Sequence, residues 1–377
     1  MTAFILICAI LTGAYLVLML LYFTGWTATP EFKLSEFLPQ TKVAVIIAAR
    51  NEEKNILNVL RDVLSQDYPS DKMEVIVVDD FSSDKTAERV KEISDSRLKL
   101  LQMRNEVADD NSSSKKKSIE TAVAKTNAEL IVTTDADCRM NSNWLKSLVA
   151  CYELKGKQFI MGAVKFHGEK NLFERMQSLD FLGYMGIACG SLFWRMPALC
   201  NGANLAYSRE LFYKLNGFEG NEKIPSGDDM FLMTKAFQKN PSSVMYLKST
   251  EATVSTHTVP TWKKFIEQRV RWGSKSKHYT DFKITSSLAI VFLFYHSIIA
   301  AAALSIVNCQ LSIIFFFMIV AKCMIDFIFL FNVANFFNRR KLMLIFLPAQ
   351  LFHITYVVIA GWLSQFKSYT WKNRINR

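Results

Sequence analysis

Leu130-Ile131-Val132-Thr133-Thr134-Asp135-Ala136-Asp137 is a β-branched run that opens directly into two carboxylates one residue apart. A short apolar run bounded by a turn reads as a buried strand, so the acidic pair marks that strand's carboxyl end. The pattern occurs twice more towards the N-terminus. Val43–Ala48 (VAVIIA) leads into Ala49-Arg50-Asn51-Glu52-Glu53, and Val75–Val78 (VIVV) leads into Asp79-Asp80-Phe81-Ser82-Ser83-Asp84-Lys85-Thr86. Each is followed by helix-like sequence, over 53–64 and 86–93. Strands alternating with helices indicate a doubly wound α/β sheet, in which ligands bind beyond the carboxyl ends of the strands. Three polar strand ends in succession therefore predict one polar crevice.

Within that crevice the acidic pair is the sharpest feature. Asp135 and Asp137 supply hard oxygen ligands with an incomplete shell, which suits Mg²⁺ or Mn²⁺ bound together with a substrate diphosphate. Ser82, Ser83 or Asp84 can equally cap a helix starting near Lys85, and capping is the preferred reading for Asp84.

The chain has 377 residues, a length that suggests two domains of ordinary size or one domain plus something else. Half of it is apolar, with 29 Phe against 14 Gly and 8 Pro, which excludes disorder and collagen-like repeats. Seven cysteines, an odd number without C-x-x-C spacing, argue against a disulfide framework or a structural zinc site. The net charge is +11, but residues 41–283 carry 36 basic and 31 acidic groups, whereas the last 94 residues carry 8 basic groups and one acid. A nucleic-acid binder concentrates positive charge on its folded domain, and this chain does not.

The positive charge instead flanks apolar segments. Residues 3–23 are uncharged and long enough to cross a bilayer, and without a basic n-region they read as an uncleaved anchor. Residues 284–307, 311–335 and 342–366 read as three further spans. The connector Asn338-Arg339-Arg340-Lys341 is cytoplasmic by the positive-inside rule, which places residues 41–283 on the same side and gives a multi-pass integral membrane protein. The basic tail Lys367–Arg377 then falls outside, against the same rule, unless the segment containing Pro348 is re-entrant. Lys322 and Asp326, four residues apart in an apolar segment, are expected to pair, either as a polar pathway or as helix-packing glue. Residues 171–199 are apolar but interrupted, and read as an amphipathic element in the membrane interface, with a buried core helix as the rival. His257 reads as structural or solvated.

Taken together, these strand ends resemble those of the family-2 inverting, nucleotide-sugar-dependent glycosyltransferases. The resemblance is to the membrane-embedded branch that includes cellulose and hyaluronan synthases and ceramide glucosyltransferase. It covers roughly residues 40–285 and implies a GT-A type, mostly parallel sheet. Residues 1–27 would be an N-terminal anchor, 28–283 a cytoplasmic catalytic domain and 284–366 about three membrane helices.

By that resemblance Ala49, Arg50, Asn51, Glu52, Asp79 and Asp80 hold the nucleoside, and Asp135 and Asp137 hold the metal and the sugar diphosphate. Lys116 or Lys117 falls where the family carries a Gly-Lys turn, although the glycine is missing. Gly202-Ala203-Asn204-Leu205 looks like the segment under the acceptor, which assigns Gly202 and Asn204 to that side. Gly227-Asp228-Asp229 stands where the family has T-E-D, and Gln268-Arg269-Val270-Arg271-Trp272 fits its Q-x-x-R-W motif.

The implied reaction is an in-line displacement at an anomeric carbon. Asp229 is expected as general base, acting late on an acceptor hydroxyl, with Asp228 raising the local pKa if it points inward. Helix capping is the bland alternative for both residues. Arg269 or Arg271 would add fixed positive charge, and Trp272 would stack under the acceptor sugar or lipid head. Arg271-Trp272 could equally anchor a helix in the membrane interface. Single transfer to a lipid or glycan is preferred over a processive synthase, because four spans are few for threading a polymer. A non-catalytic scaffold or transporter of the same fold is the remote alternative.

Overall fold

The computed structural model describes residues 1–107, 114–221, 224, 227–279 and 281–366, together with the backbone of Tyr369–Trp371 and Arg374–Asn376. Its main strands are β1 (Val43–Ala49), β2 (Met73–Asp79), β3 (Leu98–Gln102), β4 (Leu130–Asp135), β5 (Phe159–Gly162), β6 (Val164–Phe166), β7 (Leu205–Ser208), β8 (Val244–Leu247) and β9 (Val254–Thr256). The helices are α1 (Thr2–Ala28), α2 (Ile56–Leu64), α3 (Thr86–Lys91), α4 (Lys115–Ala124), α5 (Trp144–Lys155), α6 (Leu172–Phe193), α7 (Arg209–Lys214), α8 (Asp228–Lys239), α9 (Trp262–Ser274), α10 (Phe282–Ser305), α11 (Cys309–Phe336) and α12 (Phe346–Phe366).

These elements form two compact units. One comprises Pro30–His167 and Cys200–His257; the other comprises Met1–Thr29, Gly168–Leu199 and Thr258–Arg377. The continuous domain expected over 28–283 is thus interrupted. The stretch 168–199 and the segment from Thr258 onward belong with the apolar helices.

The first unit is built on a seven-stranded sheet of order β3-β2-β1-β4-β7-β5-β8. Strands β3, β2, β1 and β4 pair in parallel, β7 runs antiparallel to both β4 and β5, and β5 pairs in parallel with β8. This is the mostly parallel GT-A arrangement. Nearly every residue of β1 and β2 is buried, as expected for parallel strands covered on both faces. Helix α2 lays Ile56, Val59, Leu60 and Val63 into the core at helical spacing. Asp84 accepts from the Thr86 backbone N–H at 3.0 Å at the start of α3, in keeping with a capping role.

In register, Ala49 lies opposite Asp79, and Ala48 lies opposite Asp135. The three expected strand ends are thereby neighbours on one edge of the sheet. Because β7 is antiparallel to β4, its first residue Leu205 pairs with Thr133, which brings 202–204 to the same edge.

The second unit is helical. Four helical segments among the described residues are long and apolar enough to cross a membrane: Thr2–Ala28, Phe282–Ser305, Cys309–Phe336 and Arg340–Phe366. Pro348 sits in the first turn of α12, where a missing N–H costs no helical hydrogen bond. Backbone strands 369–371 and 374–376 pair in antiparallel fashion within the basic tail, whose remaining residues lie outside the described ones.

Helix α6 is largely buried in this unit, including Asp180's neighbours Leu179, Phe181 and Leu182. A core helix therefore describes it better than a strip lying on a surface. Its closeness to α1 depends on glycine. A Cβ on Gly190 would stand 2.2 Å from the Tyr22 carbonyl oxygen, and one on Gly25 would stand 2.2 Å from the Gly190 carbonyl oxygen. Gly190→Ala is expected to destabilise the helical unit by about 1–3 kcal/mol, the usual cost of overpacking. Gly13→Ala, at a site with no atom within 4 Å, should leave stability unchanged or slightly raised. Thermal unfolding of the two variants in detergent checks the contrast.

Candidate active site

The polar edge of the sheet begins at the turn after β1. Arg50 is buried and donates from Nη1 to the Asp80 carbonyl at 2.9 Å. Asn51 adopts a left-handed φ of 55°, and its Oδ1 accepts from the Ser83 N–H at 2.8 Å. Glu52 receives the Asn55 amide at 2.8 Å, and the Glu52 N–H donates to the Thr86 hydroxyl at 2.8 Å. The turns after β1 and β2 are thus laced together.

Asp79 is fully buried. Its Oδ1 accepts from the Ser82 N–H at 3.3 Å, whereas Oδ2 has no hydrogen-bond partner among the described residues. Arg104 stands 3.9 Å from that oxygen. A buried carboxylate oxygen without a donor is costly, and a ligand N–H or O–H would relieve it. Asp80 is also buried, and its N–H donates to the Ala49 carbonyl at 2.8 Å.

The second half of the site gathers three acids around one cation. Lys115 Nζ lies 2.6 Å from Asp135 Oδ1 and 3.6 Å from Asp228 Oδ2. Burial pushes the Lys115 ammonium down, but Asp135, Asp228 and Asp229 more than reverse this and hold it well above the usual lysine range. Asp229 accepts from the Gly202 N–H at 3.0 Å and from the Met230 N–H at 2.7 Å. It lies in the first turn of α8, whose N-cap is Gly227 with φ 90°, so the helix dipole also favours both acids. A Cβ on Gly202 would come within 3.3–3.4 Å of Asp228, Asp229 and Lys115, so a side chain here would crowd the cluster.

Of the three successive lysines, Lys115 is the one that reaches the acids. Lys116 is buried and donates to the carbonyls of Asn221 and Ile224 at 2.6 and 2.9 Å, while Lys117 is exposed and 4.0 Å from Glu120. Lys115 is the lysine that pairs with Asp135. The available signal was Ser114, whose side chain accepts from the Lys117 N–H and so makes Lys115 the first residue of α4. The first residue of a helix that follows a parallel strand lies at the ligand-binding edge.

Asn204 is fully buried. Its Oδ1 accepts from Trp144 Nε1 at 2.9 Å, and its Nδ2 donates to the carbonyls of Ala163 and Ala252 at 2.8 and 2.7 Å. Its amide therefore stitches the sheet rather than facing a crevice. A Cβ on Gly162 would collide with that amide at 2.2 Å, which explains the glycine. His257 packs its ring, tilted by 44°, 4.3 Å from that of His167.

Gln268, Arg269, Arg271 and Trp272 all lie on α9 in the helical unit. Arg269 is buried, ion-paired with Asp180 at 2.9 Å. Gln268 Oε1 is buried without a hydrogen-bond partner among the described residues, and Arg271 and Trp272 are half-buried.

Asp135 and Asp137, both half-exposed at the end of β4, are the residues that fit a divalent cation. Among the described residues no group of three or more His, Cys, Asp or Glu side chains could hold a metal. The donor set is nonetheless hard oxygen, and the ammonium on Asp135 shows that the edge already accommodates positive charge. Such a pair suits an ion that completes its shell with water and phosphate oxygens.

Residues 44–223 match the Glycosyl transferase family 2 model, and the chain carries a domain of that family. It is 26% identical over 291 residues to the probable glycosyltransferase YdaM of Bacillus subtilis, an alignment covering 71% of this chain and 66% of that protein. It is 30% identical over 111 residues to the β-monoglucosyldiacylglycerol synthase of Trichormus variabilis, covering 29% of this chain and 23% of the synthase. The chain thus spans less than two thirds of the length of these relatives. The solved mannosyltransferase PcManGT of Pyrobaculum calidifontis, in complex with GDP-Man and Mn²⁺, shares the fold with a TM-score of 0.64 at 20% identity, covering 96% of this chain and 99% of that one.

Lys115→Met should lower stability at pH 7 by about 1–3 kcal/mol, because it strips a charged hydrogen bond from a cluster of acids. The ammonium's raised pKa means its contribution is complete below about pH 10 and is lost only as pH rises through the raised value. The deficit of the variant should therefore persist to alkaline pH. Chemical denaturation across pH measures it.

Proposed function

We propose that this chain is an inverting glycosyltransferase, moving a sugar from a nucleotide-sugar donor to a lipid acceptor at the membrane. The observation that carries the reading is the convergence of Asp135, Lys115, Asp228 and Asp229 with the Gly202 backbone on one sheet edge. The family match supports the reaction class, and the name of the glucosyldiacylglycerol synthase supports a lipid acceptor. The resemblance makes UDP-sugars the first donors to test, and the complex of PcManGT adds GDP-Man.

In this reading the turns after β1 and β2 bind the nucleoside through Ala49, Arg50, Asn51, Glu52, Asp79 and Asp80. The orphaned Asp79 Oδ2 accepts from the base. Lys115 holds the diphosphate, with its ammonium exchanging Asp135 for phosphate oxygens. Asp135 and Asp137 would hold Mg²⁺ or Mn²⁺, which when bound offsets the diphosphate's negative charge.

The acceptor hydroxyl forms the new bond to the anomeric carbon from the face opposite the leaving group. The bond to the diphosphate oxygen breaks, and its electron pair leaves with the nucleoside diphosphate. The hydroxyl proton passes to Asp229. That carboxylate is oriented by the Gly202 and Met230 N–H groups, and it acts once the transition state has acidified the hydroxyl. Trp272, with Gln268 and Arg271, belongs to the acceptor side of this proposal. The catalytic unit is assigned to the cytoplasmic side, on the strength of Arg339, Arg340 and Lys341 between two apolar helices.

Membranes containing the protein, given labelled UDP-glucose, UDP-N-acetylglucosamine or GDP-mannose with Mn²⁺, should label the lipid extract rather than a polymer fraction. Chelation should abolish labelling and added Mg²⁺ or Mn²⁺ restore it. No label in either fraction from folded protein would defeat the enzyme reading. Asp229→Asn should cut turnover by at least about 100-fold, the size of a general-base contribution, while nucleotide binding by calorimetry stays intact. Lys115→Met should instead weaken nucleoside diphosphate binding, about tenfold for a lost charge-assisted contact.

A further inference from the structure

Asp180 lies midway along α6 and belongs to none of the motifs discussed above. Its side chain and that of Arg269 each keep only 3% of their surface. Asp180 Oδ2 accepts from Arg269 Nη2 at 2.9 Å, and Oδ1 accepts from the Tyr356 hydroxyl at 2.7 Å. His353 Nδ1 lies 2.6 Å from the same Oδ1. One carboxylate thus ties α6 to α9 and α12.

A buried ion pair of this kind is a poor source of net stability, since desolvating both charges offsets most of their attraction. What it does supply is geometry. The Arg269 guanidinium is centred 4.3 Å from the Trp272 ring and 4.5 Å from the Phe265 ring, a cation held against two aromatic faces. Residues 269 and 272 are i, i+3 neighbours on α9, so the contact is local and its direction depends on where the guanidinium is pinned. Trp272 also meets Tyr184 edge-on at 6.0 Å, and the Tyr184 hydroxyl shares a 2.8 Å hydrogen bond with Tyr356. Phe181 of α6 adds a third contact with the ring at 6.1 Å, and the other two supports of the indole lead back to Asp180, one through Arg269 and one through Tyr356.

We infer that Asp180 is a positioning residue that, through Arg269, fixes the Trp272 ring on the acceptor side of the reaction. The functional half of this inference rests on the reading proposed above; the structural half does not. Removing Asp180 alone strands a buried guanidinium, so Asp180→Asn is paired with a second variant, Asp180→Leu with Arg269→Met, which replaces the ion pair by apolar groups.

Two measurements on the full-length protein in phosphatidylcholine proteoliposomes test the inference. The first is Trp272 emission, obtained by subtracting the spectrum of a Trp272→Phe partner made in each background. The second is transfer to dioleoylglycerol at varied mole fraction, with donor KM measured alongside.

The Trp272 difference spectrum should shift in both Asp180 variants. kcat/KM for dioleoylglycerol should fall about tenfold with donor KM within about twofold. In a Trp272→Ala background the same Asp180 changes should cost nothing further. An unchanged Trp272 spectrum in a folded variant would overturn the positioning role. So would an equal loss of activity in the Trp272→Ala background, or a parallel loss in donor KM. If the folded unsubstituted protein labels neither lipid nor polymer, the enzyme reading fails, and the emission measurement still decides whether Asp180 fixes the ring.

Discussion

Parallel pairing of β1 with β2 and β4 forces three chain exits onto one edge of the sheet, and the proposed donor site hangs on that constraint. A parallel strand must be followed by a crossover, and the crossover must begin with a loop at the strand's carboxyl end. The register then sets the spacing, with Asp79 opposite Ala49 and Asp135 opposite Ala48. The one antiparallel strand, β7, completes the arrangement. Running against β4, it delivers its preceding loop, with Gly202, to the edge where the parallel strands end. Acids drawn from two separate stretches, Asp135 and Asp228 with Asp229, meet there, and Lys115 supplies the counter-charge that makes their proximity tolerable.

Much of this was legible in the residues. Apolar runs ending in acids reveal buried parallel strands, because only a strand covered on both faces can be continuously β-branched. The four apolar helices follow from length and scarcity of charge alone. The Lys322–Asp326 pair was legible from i, i+4 spacing, and the structure puts its charged atoms 2.6 Å apart.

Other features were not legible. Three successive lysines differ by 100° steps around a helix, so one misplaced helix start assigns the wrong one to the site. Asn204 reads as a polar residue in a functional segment, but satisfying two carbonyls and an indole N–H in the core is a tertiary fact. The burial of Arg269 depends on Asp180, which is 89 residues away in sequence. No local pattern announces such a partner.

Several buried polar groups of the helical unit pair with one another. Asp326 receives the Tyr15 hydroxyl at 2.7 Å, and Lys322 also reaches the Gln350 side chain, so α1, α11 and α12 share one buried network. Such networks specify which helix neighbours which, whereas apolar contacts between similar helices specify little. Glycine does the complementary work at Gly25 and Gly190, where two backbones approach too closely for any side chain.

The place of α6 between β6 and β7 has a consequence for biosynthesis. A ribosome that has released the chain only as far as Leu199 has emitted β1 to β6 but not β7, and β7 is the strand that joins β5 to β4. The sheet stays in two parts until the polypeptide has delivered an apolar helix elsewhere and returned. The seven-stranded sheet therefore cannot close until a helix of the other unit has been synthesised. Trimming both termini of the gene would not yield an independent soluble fragment, because the interruption lies in the middle.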